Sequence, residues 1–128
     1  MPLSLIQIAD AFFSKLVRVS RANETGAVQC ICCGHSFHWM LVDCGHFITR
    51  GHMGLRYDLD NCWPVCRVCH VKPGHQSDYE VALTAKKGEE FVASLHERGY
   101  KYFRARTDEE MEELIKETIE KLTVYGNK

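Results

Sequence analysis

No stretch of this 128-residue chain approaches the ~20 consecutive apolar residues that a membrane helix needs. Its first twenty residues, MPLSLIQIADAFFSKLVRVS, carry no basic leader and place Asp10 inside the apolar run, so they do not read as a signal peptide. Three prolines and nine scattered glycines leave no low-complexity segment and no obvious linker, and no internal repeat is present. Neither sign of charge dominates, since the formal net charge is −1. That near-balance looks wrong for a nucleic-acid binder. It also hides an asymmetry. Residues 1–106 carry thirteen Lys/Arg against ten Asp/Glu, whereas residues 107–128 carry three against seven. A mildly basic body with an acidic terminal helix permits contact with phosphates, although two solvated faces of opposite sign fit the same numbers.

What remains is an ordinary globular composition, 45% apolar and 26% charged, over one domain's worth of chain. Ser4 followed by Gln7 is a capping-box pattern, and apolar residues then recur at helical spacing, which predicts a helix over 5–20. Residues 28–48 are rich in β-formers broken by Cys-Gly pairs and predict knuckles and a hairpin. Ser77/Glu80 and Thr107/Glu110 repeat the capping pattern, and 89–98 forms a further short helical stretch ended by Gly99. In the last helix Met111, Leu114, Ile115, Thr118, Ile119 and Leu122 form one stripe, suited to core packing or to a dimer interface.

Seven cysteines, an odd number, crowd between positions 30 and 69. In a chain without an export signal this favours thiolates on a metal over a disulfide framework. Cys30/Cys33 and Cys66/Cys69 are two C-x-x-C pairs, each able to turn both sulfurs inward in a tight knuckle. Together they predict a tetrahedral Zn²⁺ site with no open position, structural and not catalytic. Gly34 follows Cys33 where the turn must reverse. Cys44 and Cys62 are taken as small buried apolar groups, and Cys32 stays unassigned.

The segment between the pairs reads as a hairpin, a loop and a helix starting at the second knuckle. His46 ends the first strand, Asn61 lies on the returning strand, and His70 begins the helix. Such a layout can hydrolyse a phosphodiester with one metal: a neutral imidazole takes a proton from water, and a divalent cation offsets charge on the leaving oxygen.

Asn61-Cys-Trp-Pro-Val-Cys66-x-x-Cys69-His70-x-Lys72 resembles the second half of an HNH nuclease motif, and Gly45-His46-Phe-Ile its first half. FSKLVR, CICCG, DCGHFITRG, RYDLDNCWPVCRVCH and GHQSDYE are more narrowly similar to the phage NinG (Rap) recombination-endonuclease family, over roughly residues 12–83. The resemblance implies an α+β domain over 1–128, with a zinc-stapled treble-clef ββα-metal core at about 28–75. Helices at 5–20 and about 77–125 would flank it. It implies cleavage of branched recombination intermediates such as Holliday junctions and D-loops, in the cytoplasm of a bacterial host. Under it His46 matches the general base, Asn61 the residue bracing the loop that bears the base, and His70 a ligand of a catalytic Mg²⁺ or Mn²⁺.

One departure is Gly45, where many HNH sites carry a carboxylate or histidine before the base. Asp43 is the candidate to complete that metal site, with His52 and Asp58 as alternatives. Arg50, Arg56, Arg67 and Lys72 flank the site, and two of the four are expected to reach DNA phosphates. Arg56 and Asp58 share a strand face and can instead pair with each other. Paired cuts at a symmetric junction would call for a homodimer. A non-enzymatic zinc module binding DNA or a protein accounts for the cysteines but not for the histidines. A nuclease that has lost activity and keeps only junction binding is the third reading.

Overall fold

Two of the three capping patterns close as reciprocal boxes. In the computed structural model, which describes residues 2–101 and 103–126, Gln7 N–H donates to Ser4 Oγ at 3.1 Å. Ser4 N–H answers with 2.9 Å to Gln7 Oε1. Two otherwise unpaired amides of the first turn are thereby satisfied, and helix α1 runs Leu5–Ser20 as predicted. Thr107 and Glu110 do the same for the last helix, Asp108–Thr123.

Between them the chain makes β1 (Ala27–Gln29), β2 (Ser36–His38), β3 (Val42–His46) and β4 (Cys62–Cys66), then α2 (Arg67–Val71), α3 (His75–Lys87) and α4 (Glu89–Gly99), with the last helix as α5. Short 3-10 turns fill 39–41, 53–55 and 59–61. Among the described residues this is a mixed α+β chain of five helices and two small antiparallel sheets, β1–β2 and β3–β4. No described helix is long and apolar enough to cross a membrane.

The capping pattern at Ser77 misleads. α3 begins two residues earlier, after Gly74 in the left-handed region at φ 79°. With α2 ending just before Lys72-Pro73, a glycine turn restarts the helix at once, and Ser77 falls inside its first turn. Glu80 pairs instead with His96 on α4, Oε1 to Nε2 at 2.6 Å. α4 keeps Gly99 as its last residue rather than stopping before it.

The main core lies between the β3–β4 hairpin and helices α3 and α4, where Phe47, Val65, Tyr79, Leu83 and Leu95 are buried. α5 packs along α1 and buries Met111 and Thr118, so that part of its stripe closes the chain's own core.

Asn61 sits in the 3-10 turn just before β4, not on the strand, because its side chain is tied to the loop it faces. It is fully buried: Oδ1 accepts from Ile48 N–H at 2.8 Å, and Nδ2 donates to the carbonyls of Ile48 and Leu55. Asn61, at the end of the β3–β4 loop, thus clamps its start and its middle. Asn61→Ala leaves one amide and two carbonyls short of a partner, and is expected to cost about 2–4 kcal/mol in denaturant unfolding.

Candidate functional site

The β1–β2 hairpin carries the first cysteine pair at its tip. Gly34, at φ 75°, lets the chain reverse there, and its N–H closes onto the Cys30 carbonyl at 2.9 Å. The second pair spans the junction where β4 ends at Cys66 and α2 begins, with Cys69 in its first turn. The Ile31 amide bonds to the Pro64 carbonyl at 2.8 Å and ties the two knuckles together.

All four sulfurs of Cys30, Cys33, Cys66 and Cys69 lie within 4.8 Å of one another, with Cys33 and Cys66 4.0 Å apart. Tetrahedral zinc with Zn–S near 2.3 Å sets its sulfurs ~3.8 Å apart, so the cluster fits the ion. Burial pushes the Cys30 thiol up, but hydrogen bonds from the amides of Cys66, Cys33 and Cys32 outweigh it and bring it down to about 7. Cys66 N–H, 3.3 Å from Cys30 Sγ, is one of these donors. Amides aimed at sulfur favour the thiolate that a metal requires. Cys32 is outside the cluster, 3.9 Å from His75 Nδ1, and burial pushes its thiol up to about 12.

A separate cleft of about 680 Å³ opens along β3 between α1 and α2. Asp43, His46 and His70 all line it, as do Arg50 and Arg67. Asp43 Oδ2 stands 3.0 Å from His70 Nδ1, and Arg67 Nε is 3.6 Å from the other carboxylate oxygen. The Asp43–His70 contact is a hydrogen bond in which the carboxylate accepts from Nδ1–H. Octahedral ligands at ~2.1 Å from a cation also lie ~3.0 Å apart, so the oxygen and nitrogen fit two such positions once that proton is displaced. His52 and Asp58 are engaged elsewhere, His52 with the Gly99 carbonyl at 2.9 Å and Asp58 with Arg98 at 2.8 Å.

His46 Nε2 lies 2.9 Å from the Arg56 carbonyl. A carbonyl only accepts, so this nitrogen carries the ring proton and Nδ1 keeps the lone pair. Burial, reinforced by the charges of Arg50 and Arg56, outweighs that hydrogen bond and holds the imidazole below its ordinary value of 6.5. His46 is therefore neutral at neutral pH.

The four basic candidates separate. Arg50 and Arg67 are exposed within the cleft. Arg56 is mostly buried and grips Asp10 of α1 with two nitrogens, Nε to Oδ1 at 3.0 Å, and so neither pairs with Asp58 nor lines the cleft itself. Lys72 pairs with Asp78 at 3.5 Å on the surface outside it. Burial raises the Asp10 carboxyl, but hydrogen bonds from Arg56 and Tyr57 prevail and keep it below the usual range.

Gly45 has a packing reason. A Cβ built there would lie 2.5 Å from Val65 Cγ2 and 3.2 Å from Tyr79, whose hydroxyl donates to the Gly45 carbonyl at 2.8 Å. Any side chain at 45 would point into the core, not the cleft, so a carboxylate for the cleft has to come from another position, as Asp43 and Asp10 do. Gly45→Ala is expected to destabilise the protein by about 1–3 kcal/mol through overpacking, read as a lowered thermal midpoint.

Sequence reasoning missed His75, which lines the cleft with its ring 5.2 Å from that of His70, and Arg18 and Asp10 of α1. It also missed that Cys44, His46 and Cys62 come together, their ligand atoms within 4.8 Å of one another. The strand register was the available signal, since β3–β4 pairing sets His46 opposite Cys62.

The family described as Bacteriophage Lambda NinG protein matches this chain over residues 4–125. No curated protein and no solved structure matches it.

Proposed function

The chain belongs to the NinG family, and from that premise we propose that it is a divalent-metal-dependent endonuclease of branched DNA. One observation carries the reading: a neutral imidazole with a free lone pair shares a cleft with a carboxylate–imidazole pair and two exposed arginines. We take β3, β4 and α2 as an HNH-like ββα-metal core, stapled by zinc on the four cysteines in the manner of a treble clef.

In this mechanism His46 Nδ1 accepts the proton of the attacking water, while the Arg56 carbonyl fixes the ring and its tautomer. Asp43 and His70 would hold Mg²⁺ or Mn²⁺, which supplies charge stabilisation at the phosphate and the leaving oxygen. Arg50 and Arg67 hold flanking phosphates. Asn61 does not line the cleft; it positions the loop that supplies the Arg56 carbonyl and so acts through His46. Holliday junctions and D-loops are the proposed substrates, met in the cytoplasm of a bacterial host.

The four-cysteine cluster is equally compatible with a zinc module that binds DNA without cutting it. The two readings part at Asp43 and His70. Replacing either by alanine is expected to raise the Mn²⁺ concentration for half-maximal junction cleavage at least ~10-fold, with zinc content unchanged. Cleavage whose Mn²⁺ dependence ignores both substitutions would remove this pair from the mechanism.

A further inference from the structure

The three-residue group beside the cleft is chemically unlike the carboxylate–imidazole pair. Antiparallel pairing of β3 with β4 sets His46 opposite Cys62, and Cys44, two residues back on β3, shares the His46 face. The two sulfurs and one ring nitrogen lie within 4.8 Å of one another and share no residue with the four-cysteine cluster.

We propose that Cys44, His46 and Cys62 form a second site for a thiophilic divalent cation such as Zn²⁺ or Cd²⁺, whose occupancy silences the cleft. Two sulfurs and an imidazole select such ions over Mg²⁺ or Mn²⁺, which prefer oxygen. The surroundings agree. Phe13, Val17, Tyr57 and Leu59 enclose the Cys62 side, where a lone thiolate would be costly. A dication bound by two thiolates and a neutral imidazole carries no net charge and suits that apolar wall. Cys44 and His46 also line the cleft, so an ion can enter and keep an open fourth position there. On binding, each S–H bond breaks, its proton leaves to solvent, and a metal–sulfur bond forms with no redox change.

The consequence follows from one lone pair. Neutral imidazole has a single free pair, and an ion that takes it leaves none to accept a proton from water. The silencing rests on the nuclease reading above, whereas the binding stands without it.

The test is titration of Cd²⁺ into protein already holding one zinc, following bound cadmium, released zinc and the thiolate-to-cadmium absorption band. Wild type should bind one cadmium beyond any that exchanges for its zinc. Cys44→Ala should weaken that additional uptake at least ~10-fold, as should Cys62→Ala. In the same tubes that additional cadmium should abolish Mn²⁺-dependent junction cleavage, and Cys44→Ala should resist it. No cadmium bound beyond exchange for zinc, or uptake unchanged in both cysteine variants, would overturn the site. Uptake lost in the variants from a protein that never cleaves would sink the nuclease reading and keep the metal site.

Discussion

His46→Ala is expected to keep its zinc and its cooperative unfolding while losing metal-dependent cleavage by ~10²–10⁴-fold, the range for a positioned general base. The loss of fold should be small, because the ring makes one hydrogen bond, to the Arg56 carbonyl, and the Cys62 thiol still donates to that acceptor at 3.9 Å. His46→Gln is the sharper control. An amide can still donate to the Arg56 carbonyl and fill most of the space, but it cannot accept a proton from water. A glutamine variant as dead as the alanine variant assigns the loss to chemistry. One that restores cleavage to within a few-fold of wild type would assign the ring a structural role instead.

The second large effect concerns the knuckles. Stripping zinc with a strong chelator, or replacing Cys66 by alanine, is expected to abolish cooperative unfolding of the β3–β4–α2 region. Structural zinc in small domains contributes on the order of 10 kcal/mol at neutral pH, comparable with the whole stability of a chain this size. Cys66 joins β4 to α2, and its sulfur lies 4.0 Å from that of Cys33 in the first knuckle, so losing it loosens both together. Hydrogen exchange should show the amides of 30–34 and 62–70 losing protection first, with α1 and α5 holding longer. Cys32→Ala is the internal control, since its sulfur stands outside the cluster and its loss should leave zinc content unchanged. Zinc retained at one equivalent in Cys66→Ala that also carries Cys44→Ala would contradict the four-sulfur assignment.

The parts of this architecture legible in the sequence are those written in local spacing. Ser4/Gln7 and Thr107/Glu110 announce their helices because each box is closed by residues three apart. The two C-x-x-C pairs are legible for the same reason, and chemistry alone says that four such thiolates can converge on one ion. Ser77/Glu80 carries the same local pattern and fails. There the glycine turn after α2 decides where α3 begins, and the Glu80 carboxylate finds His96 sixteen residues away. Arg56 was ambiguous because its partner, Asp10, comes from a helix forty-six residues earlier. Cys44 and Cys62 looked like filler because each is isolated along the chain, and only the strand register sets both beside His46. Gly45, a departure when read as a motif, is an ordinary packing demand when read against Val65 and Tyr79.

The central claim is that this cleft cuts DNA rather than holds it. The most direct measurement uses an end-labelled four-way junction and its linear duplex, each incubated with zinc-loaded wild type, with and without Mn²⁺, on denaturing and native gels in parallel. Junction strands cut only when Mn²⁺ is added, with the duplex cut far more slowly, are the predicted result. A junction that shifts on the native gel yet stays intact at every Mn²⁺ concentration would contradict the account and leave a zinc-stapled binding module.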